Sequence, residues 1–106
     1  MARRSTSKEK KATKNSLVTL EGDGIKIEVR KYETGNMIGF ATLIIDDEIY
    51  IYNCKIVDGK KGKFLSFPSY QGSDGKYYNY VYIDKDSDLM KEIQSVVSVW
   101  DPEQDD

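Results

Sequence analysis

No histidine occurs among the 106 residues, and there is one cysteine, Cys54. A disulfide framework within the chain is therefore excluded, and the usual histidine-containing zinc sets are missing. Serine or cysteine acyl transfer also loses its ordinary general base, which leaves only lysine or carboxylate chemistry for a catalyst. No run approaches the ~18 consecutive apolar residues of a membrane span, and the N-terminus has no apolar signal region. These absences lead to the expectation of a non-enzymatic, cytoplasmic protein without metal or cofactor. Cys54, set among apolar and aromatic residues, reads as a buried structural thiol.

What is present is globular. Hydrophobic residues make up 39% and aromatic residues 11% of the chain, too apolar for disorder, while 32% charge supplies a solvated surface. The net charge of -2 conceals a division. Residues 1–14 hold six cations (Arg3, Arg4, Lys8, Lys10, Lys11 and Lys14) against Glu9, a net of +5, so the remainder carries -7. Residues 1–22 are accordingly expected to be a disordered basic arm, residues 23–100 the folded domain, and residues 101–106 an acidic tail. Such an arm contacts phosphates through counterion release or simply solubilises the chain.

Beyond Gly24 the hydrophobic period is two. In "IKIEVRKY", Ile25, Ile27 and Val29 alternate with Lys26, Glu28 and Arg30, the pattern of a strand with one wet face. "MIGFATLII" (37–45) is apolar on both faces, and "IYIYNCKIV" follows the turn "DDE". Lys63 to Phe67 reads as a fourth strand stopped by Pro68, and Tyr77 to Ile83 as a fifth. Leu89, Ile93, Val96 and Trp100 recur at helical spacing behind a cap at Asp86 or Ser87. The expected fold is α+β, an antiparallel sheet of about five strands with one C-terminal helix packed on it.

Three motifs fail as sites. Asp46, Asp47 and Glu48 occupy a hairpin tip, where turn chemistry accounts for them. The spacing Asp84, Asp86, Asp88 begins like a calcium loop, but Leu89 stands where glycine is required and Ser95 where a bidentate glutamate should close the shell. "GKKGK" (59–63) lacks the glycine spacing of a phosphate loop. The remaining concentration of chemistry is residues 57–84, where Lys60, Lys61, Lys63 and Lys76 interleave with Tyr70, Tyr77, Tyr78, Tyr80 and Tyr82. Cations draw a nucleic-acid backbone, and unpaired bases stack on tyrosine rings at about 1–3 kcal/mol each. Alternation places Tyr78, Tyr80 and Tyr82 on one face, opposite Tyr77. The same stripe also suits packing under the helix or at a subunit interface, and pattern alone favours that packing.

The run "IDDEIYIYNCKIVDGKKGKFLSFPS", followed by "SDGKYYNYVYI" and "KEIQSVV", resembles the SpoVG (stage V sporulation protein G, septation regulator) family over residues 25 to about 98. Most specific is I-V-D-G-x-x-G-x-F-x-x-x-P-S from Ile56 to Ser69, then Asp74-Gly75, then Ile93-Gln94. The resemblance implies a small antiparallel sheet with a C-terminal helix, a homodimer formed through the sheet, and sequence-tolerant DNA and RNA binding in gene regulation. In such proteins, cations after the Pro-Ser pair and near the helix are implicated in contact. Here Tyr70 and Gln71 follow Ser69, the helix offers only Lys91, and the segment from Ile83 to Ile93 is about two residues longer. The expected nucleic-acid contacts are thus Lys60, Lys61, Lys63, Tyr70, Lys76, Tyr78 and Lys91, with Arg3, Arg4, Lys10 and Lys11 of the arm. The alternative is a protein-interaction or dimerisation module that has lost nucleic-acid binding. Gly59 and Gly62 are expected to take positive φ in the loop between their strands.

Overall fold

A computed structural model describes residues 17–103. Five antiparallel strands follow one another in sheet order: β1 (Leu17–Gly22), β2 (Ile25–Thr34), β3 (Met37–Ile45), β4 (Ile49–Gly59) and β5 (Gly62–Ser66). A separate ribbon pairs β6 (Ser69–Gln71) with β7 (Tyr77–Asn79), and the helix α1 spans Asp88–Ser98. The architecture is α+β, with a curled sheet and a single C-terminal helix.

The predicted alternation in β2 is realised. Ile25, Ile27 and Val29 are buried and oppose Ile45, Leu43 and Ala41 of β3. On β4, Ile51 opposes Leu43 while Cys54 opposes Ala41, three residues against two. Asn53, at φ 64°, takes the extra position of this bulge. The bulge resets the alternation, so that Ile51, Cys54 and Ile56 all turn inward while Tyr52 and Lys55 stay exposed. Ile27, Leu43, Ile56 and Ile93 are almost wholly removed from water, each contributing about 1.5–3 kcal/mol of hydrophobic free energy.

The helix closes this core from one side. Ser87 is its N-cap, its hydroxyl accepting from the Met90 amide at 3.1 Å and donating to the Asp84 carbonyl at 2.7 Å. Ile93, Val96, Val97 and, just beyond the last turn, Trp100 are buried, with Leu89 packed at the edge. The helix touches both β1 and β5, the two outer strands, because the sheet curls around it. Gly22 of β1 passes close beneath Val96, and the adjacent Asp23 amide donates to Glu92 Oε2 at 2.8 Å. At the other edge, Gln94 Nε2 donates to the Lys63 carbonyl at 2.7 Å. Ile93 and Gln94 of the sequence motif are therefore, respectively, a core residue and a tie between helix and sheet.

Several expectations change. Residues 17–22, expected within the arm, form β1: Val18 and Leu20 lie opposite Val29 and Ile27, and β1 covers what would otherwise be an open edge of β2. Only six residues alternate there, too weak a signal beside the charged run before it. The fifth strand of the sheet is therefore β1, and the segment expected from Tyr77 to Ile83 pairs only over Tyr77–Asn79, with β6. Pro68 separates this ribbon from β5, since it lacks the N–H that would continue the ladder. Gly62 takes a positive φ of 119°, whereas Gly59 does not. At Gly59 space is the constraint, a Cβ there falling 3.1 Å from the Phe64 ring.

Candidate nucleic-acid interface

The β6–β7 hairpin is held by its own loop. Gly72 N–H donates to the Lys76 carbonyl at 2.8 Å, Gln71 Nε2 donates to the Gly75 carbonyl at 3.1 Å, and Gly75 sits at φ 84°. Asp74 is the hub. Its carboxylate accepts from the Lys76 amide at 3.0 Å and from the Tyr78 hydroxyl at 2.6 Å. The Tyr78 hydroxyl and the Lys76 amide hold the Asp74 carboxyl below its ordinary range, and the same hydroxyl bond moves Tyr78 upward. Tyr78 is thus anchored at its polar end, leaving its ring to others.

Across the ribbon, Tyr70 lies opposite Tyr78, with ring centroids 5.7 Å apart, and Tyr80 closes on Tyr70 at 4.9 Å. Tyr78 and Tyr80 share a face, as alternation requires, though pairing ends at Asn79. The cluster is not packed beneath the helix. Tyr70, Tyr78 and Tyr80 remain 45%, 42% and 69% exposed, and Tyr77 and Tyr82 are more open still.

The lysines divide into two groups. Lys60 and Lys61 form the tip of the β4–β5 hairpin, and Lys63 lies on β5 opposite Asp58. Lys91 stands on α1 three residues before Gln94, so docking of Gln94 on the Lys63 carbonyl brings Lys91 and Lys63 to one side of the molecule. Lys76 belongs instead to the tyrosine hairpin. Arg3, Arg4, Lys10 and Lys11 lie outside the described residues.

The motifs set aside as sites have structural duties. Asp46 and Asp47 both adopt positive φ, 55° and 58°, with Glu48 N–H donating to the Ile45 carbonyl, a tight hairpin turn in which Asp47 also meets Lys26 at 3.4 Å. Asp84 Oδ1 accepts from the Asp86 amide, shaping the approach to the helix cap. Cys54 is buried, its Sγ facing the Ile51 carbonyl at 3.6 Å, and burial pushes the thiol up to about 11. Among the described residues no group of three or more Cys, Asp or Glu side chains converges on a metal position. No helix among them is long and apolar enough to cross a membrane.

A second aromatic surface escaped the sequence reading. On the sheet face turned from the helix, Tyr32 and Phe40 lie 5.4 Å apart, and Tyr50 and Tyr52 stack at 6.2 Å. Phe40 is 41% and Tyr52 62% exposed. The signal was there: in "IYIYN" the tyrosines alternate with isoleucine, and Arg30 and Tyr32 share their parity in β2. An apolar reading of both faces of β3 hid it.

Comparison with known proteins finds relatives over most of the folded part. The SpoVG family model matches residues 23–99. A candidate septation protein SpoVG of Agathobacter rectalis is 38% identical over 52 residues, which cover 48% of this chain and 60% of that protein. A second such protein, from Listeria monocytogenes, is 32% identical over 72 residues, 67% of this chain and 70% of its own length. One from Staphylococcus carnosus is 29% identical over 77 residues, 71% of each chain. With the Ile56–Ser69 hairpin, the tyrosine ribbon and the Ile93-Gln94 tie all inside the matched span, the chain belongs to the SpoVG family.

Proposed function

We propose that this chain is a small regulatory protein that binds DNA or RNA with low sequence specificity and acts as a homodimer in the cytoplasm. The observation that carries the reading is the exposed cluster of Tyr70, Tyr78 and Tyr80 on a hairpin that also bears Lys76. Exposed rings beside cations suit bases and phosphates, whereas a structural cluster of this size would ordinarily be covered. Lys60, Lys61, Lys63 and Lys91 extend the cationic surface, and Arg3, Arg4, Lys10 and Lys11 offset the acidic charge of the domain. Septation, the process in the relatives' names, is the setting in which such regulation would operate.

Fluorescence anisotropy of labelled single-stranded DNA, duplex DNA and RNA at two salt concentrations tests the reading. Four phosphate contacts on a single strand give a log–log salt slope of about -3, so a fourfold rise in salt weakens binding about fiftyfold. Replacing Arg3, Arg4, Lys10 and Lys11 by glutamine is expected to lower this slope without abolishing binding. If no nucleic acid binds at low salt, the protein-interaction module becomes the better reading.

A further inference from the structure

The outer face of the sheet combines rings and cations in a fixed order. Arg30 of β2, Phe40 of β3 and Lys55 of β4 are successive cross-strand partners, which sets Phe40 directly between two positive side chains. Strand spacing puts the backbone of Arg30 and of Lys55 about 5 Å to either side of that of Phe40, so about 10 Å separates the two strands that bear the cations. Tyr32 adjoins Phe40 on one side, and Tyr52 and Tyr50 form a second ring pair on the same face of β4. The Asn53 bulge produces this geometry, since without its reset Tyr52 and Lys55 would fall on opposite faces.

We propose that the row Arg30–Phe40–Lys55, together with Tyr52, is a stacking platform for single-stranded nucleic acid, separate from the lysine hairpin and the tyrosine ribbon. The inference rests on the nucleic-acid reading above and adds to it a second surface and a strand preference. Charge selects the occupant. A second copy docked about a two-fold axis through Phe40 would press Arg30 and Lys55 against the same cations of its partner. A phosphate backbone meets them with the opposite sign. The neighbouring row holds Glu28, and Lys26 beyond it is tied to Asp47, so the strand is held to the Arg30–Phe40–Lys55 end. Bases within a duplex are already stacked and present no open face to Phe40 or Tyr52, while unpaired bases do.

The test uses the full chain, a fluorescein-labelled oligothymidine and a duplex of equal length. Phe40→Ala and Tyr52→Ala are each expected to weaken oligothymidine binding about tenfold, and duplex binding less than twofold. Phe40→Tyr, which keeps a ring, should retain binding. Lys55→Ala should reduce the salt slope by close to one contact. Thermal melts establish that each variant is folded, and size-exclusion chromatography follows its assembly. Parent-like oligothymidine binding by both alanine variants would overturn the platform and leave the broader reading standing. A change of oligomeric state on Phe40→Ala would identify the face as a self-interface, which also overturns it. Failure of the parent chain to bind either probe would refute the nucleic-acid reading itself, and the platform with it.

Discussion

Substitution of Gly22 by alanine probes the seam between the helix and β1. A Cβ built at Gly22 lies 2.6 Å from Val96 Cγ2, 2.6 Å from Glu92 Oε2 and 3.1 Å from Ile25 Cγ1. Glu92 can swing aside, losing its 2.8 Å bond from the Asp23 amide, but Val96 is buried and β-branched and holds strongly to one rotamer in a helix. The helix must therefore move. Overpacking costs about 1–3 kcal/mol, and the exposed charged hydrogen bond adds about 0.5–1 kcal/mol. Reduced unfolded-state entropy offsets about 0.4–1 kcal/mol of this. The net is about 2 kcal/mol, or roughly 10 °C in Tm for a domain of this size. Chemical and thermal unfolding of Gly22→Ala, Val96→Ala and the double variant measures it as a cycle. The two sites should couple by about 1 kcal/mol or more, because removing the Val96 methyls makes room for the new one. Additive effects, or a Gly22→Ala protein as stable as the parent, would refute the contact argument.

Cys54 should resist a thiol reagent at pH 8 in the native protein and react at once in denaturant, which a colorimetric thiol assay reads directly. Since its folded value is raised to about 11, the stability linked to the neutral thiol is intact below the unfolded value near 8.5 and declines as pH climbs toward 11, as denaturation at stepped pH would record. Tyr78→Phe removes the hydroxyl that lowers the Asp74 carboxyl, so an NMR titration should find Asp74 shifted back upward. In the parent, the depressed Asp74 value favours the ordered hairpin above about pH 4, and that contribution disappears as pH falls through the folded value. Replacing Asp46-Asp47 by Asn-Gly should stabilise the β3–β4 hairpin by about 0.5–1 kcal/mol, measured by urea unfolding, because both positions hold positive φ; the exposed pair with Lys26 that is lost is worth less.

Alternation in "IKIEV" and helical spacing from Leu89 to Trp100 were sufficient to place β2 and α1, since each pattern repeats a single period and buries one face. The turn at 46–48, a helix cap at Asp86 or Ser87 and the buried Cys54 were legible for the same local reason. The α+β class and the family followed from these elements and from motifs whose residues sit close together in the chain. Sequence alone could not place β1, because a six-residue strand becomes stable only when β2 and the helix lie against it. Nor could it separate the β6–β7 ribbon from the sheet, a choice made by pairing partners distant from Pro68. The register reset at Asn53 is the clearest case: one residue in a left-handed conformation decides which face Tyr52 and Lys55 occupy. Composition announced that rings and cations were present, but only the pairing of β2, β3 and β4 set Phe40 between Arg30 and Lys55, because that juxtaposition exists across strands and not along the chain.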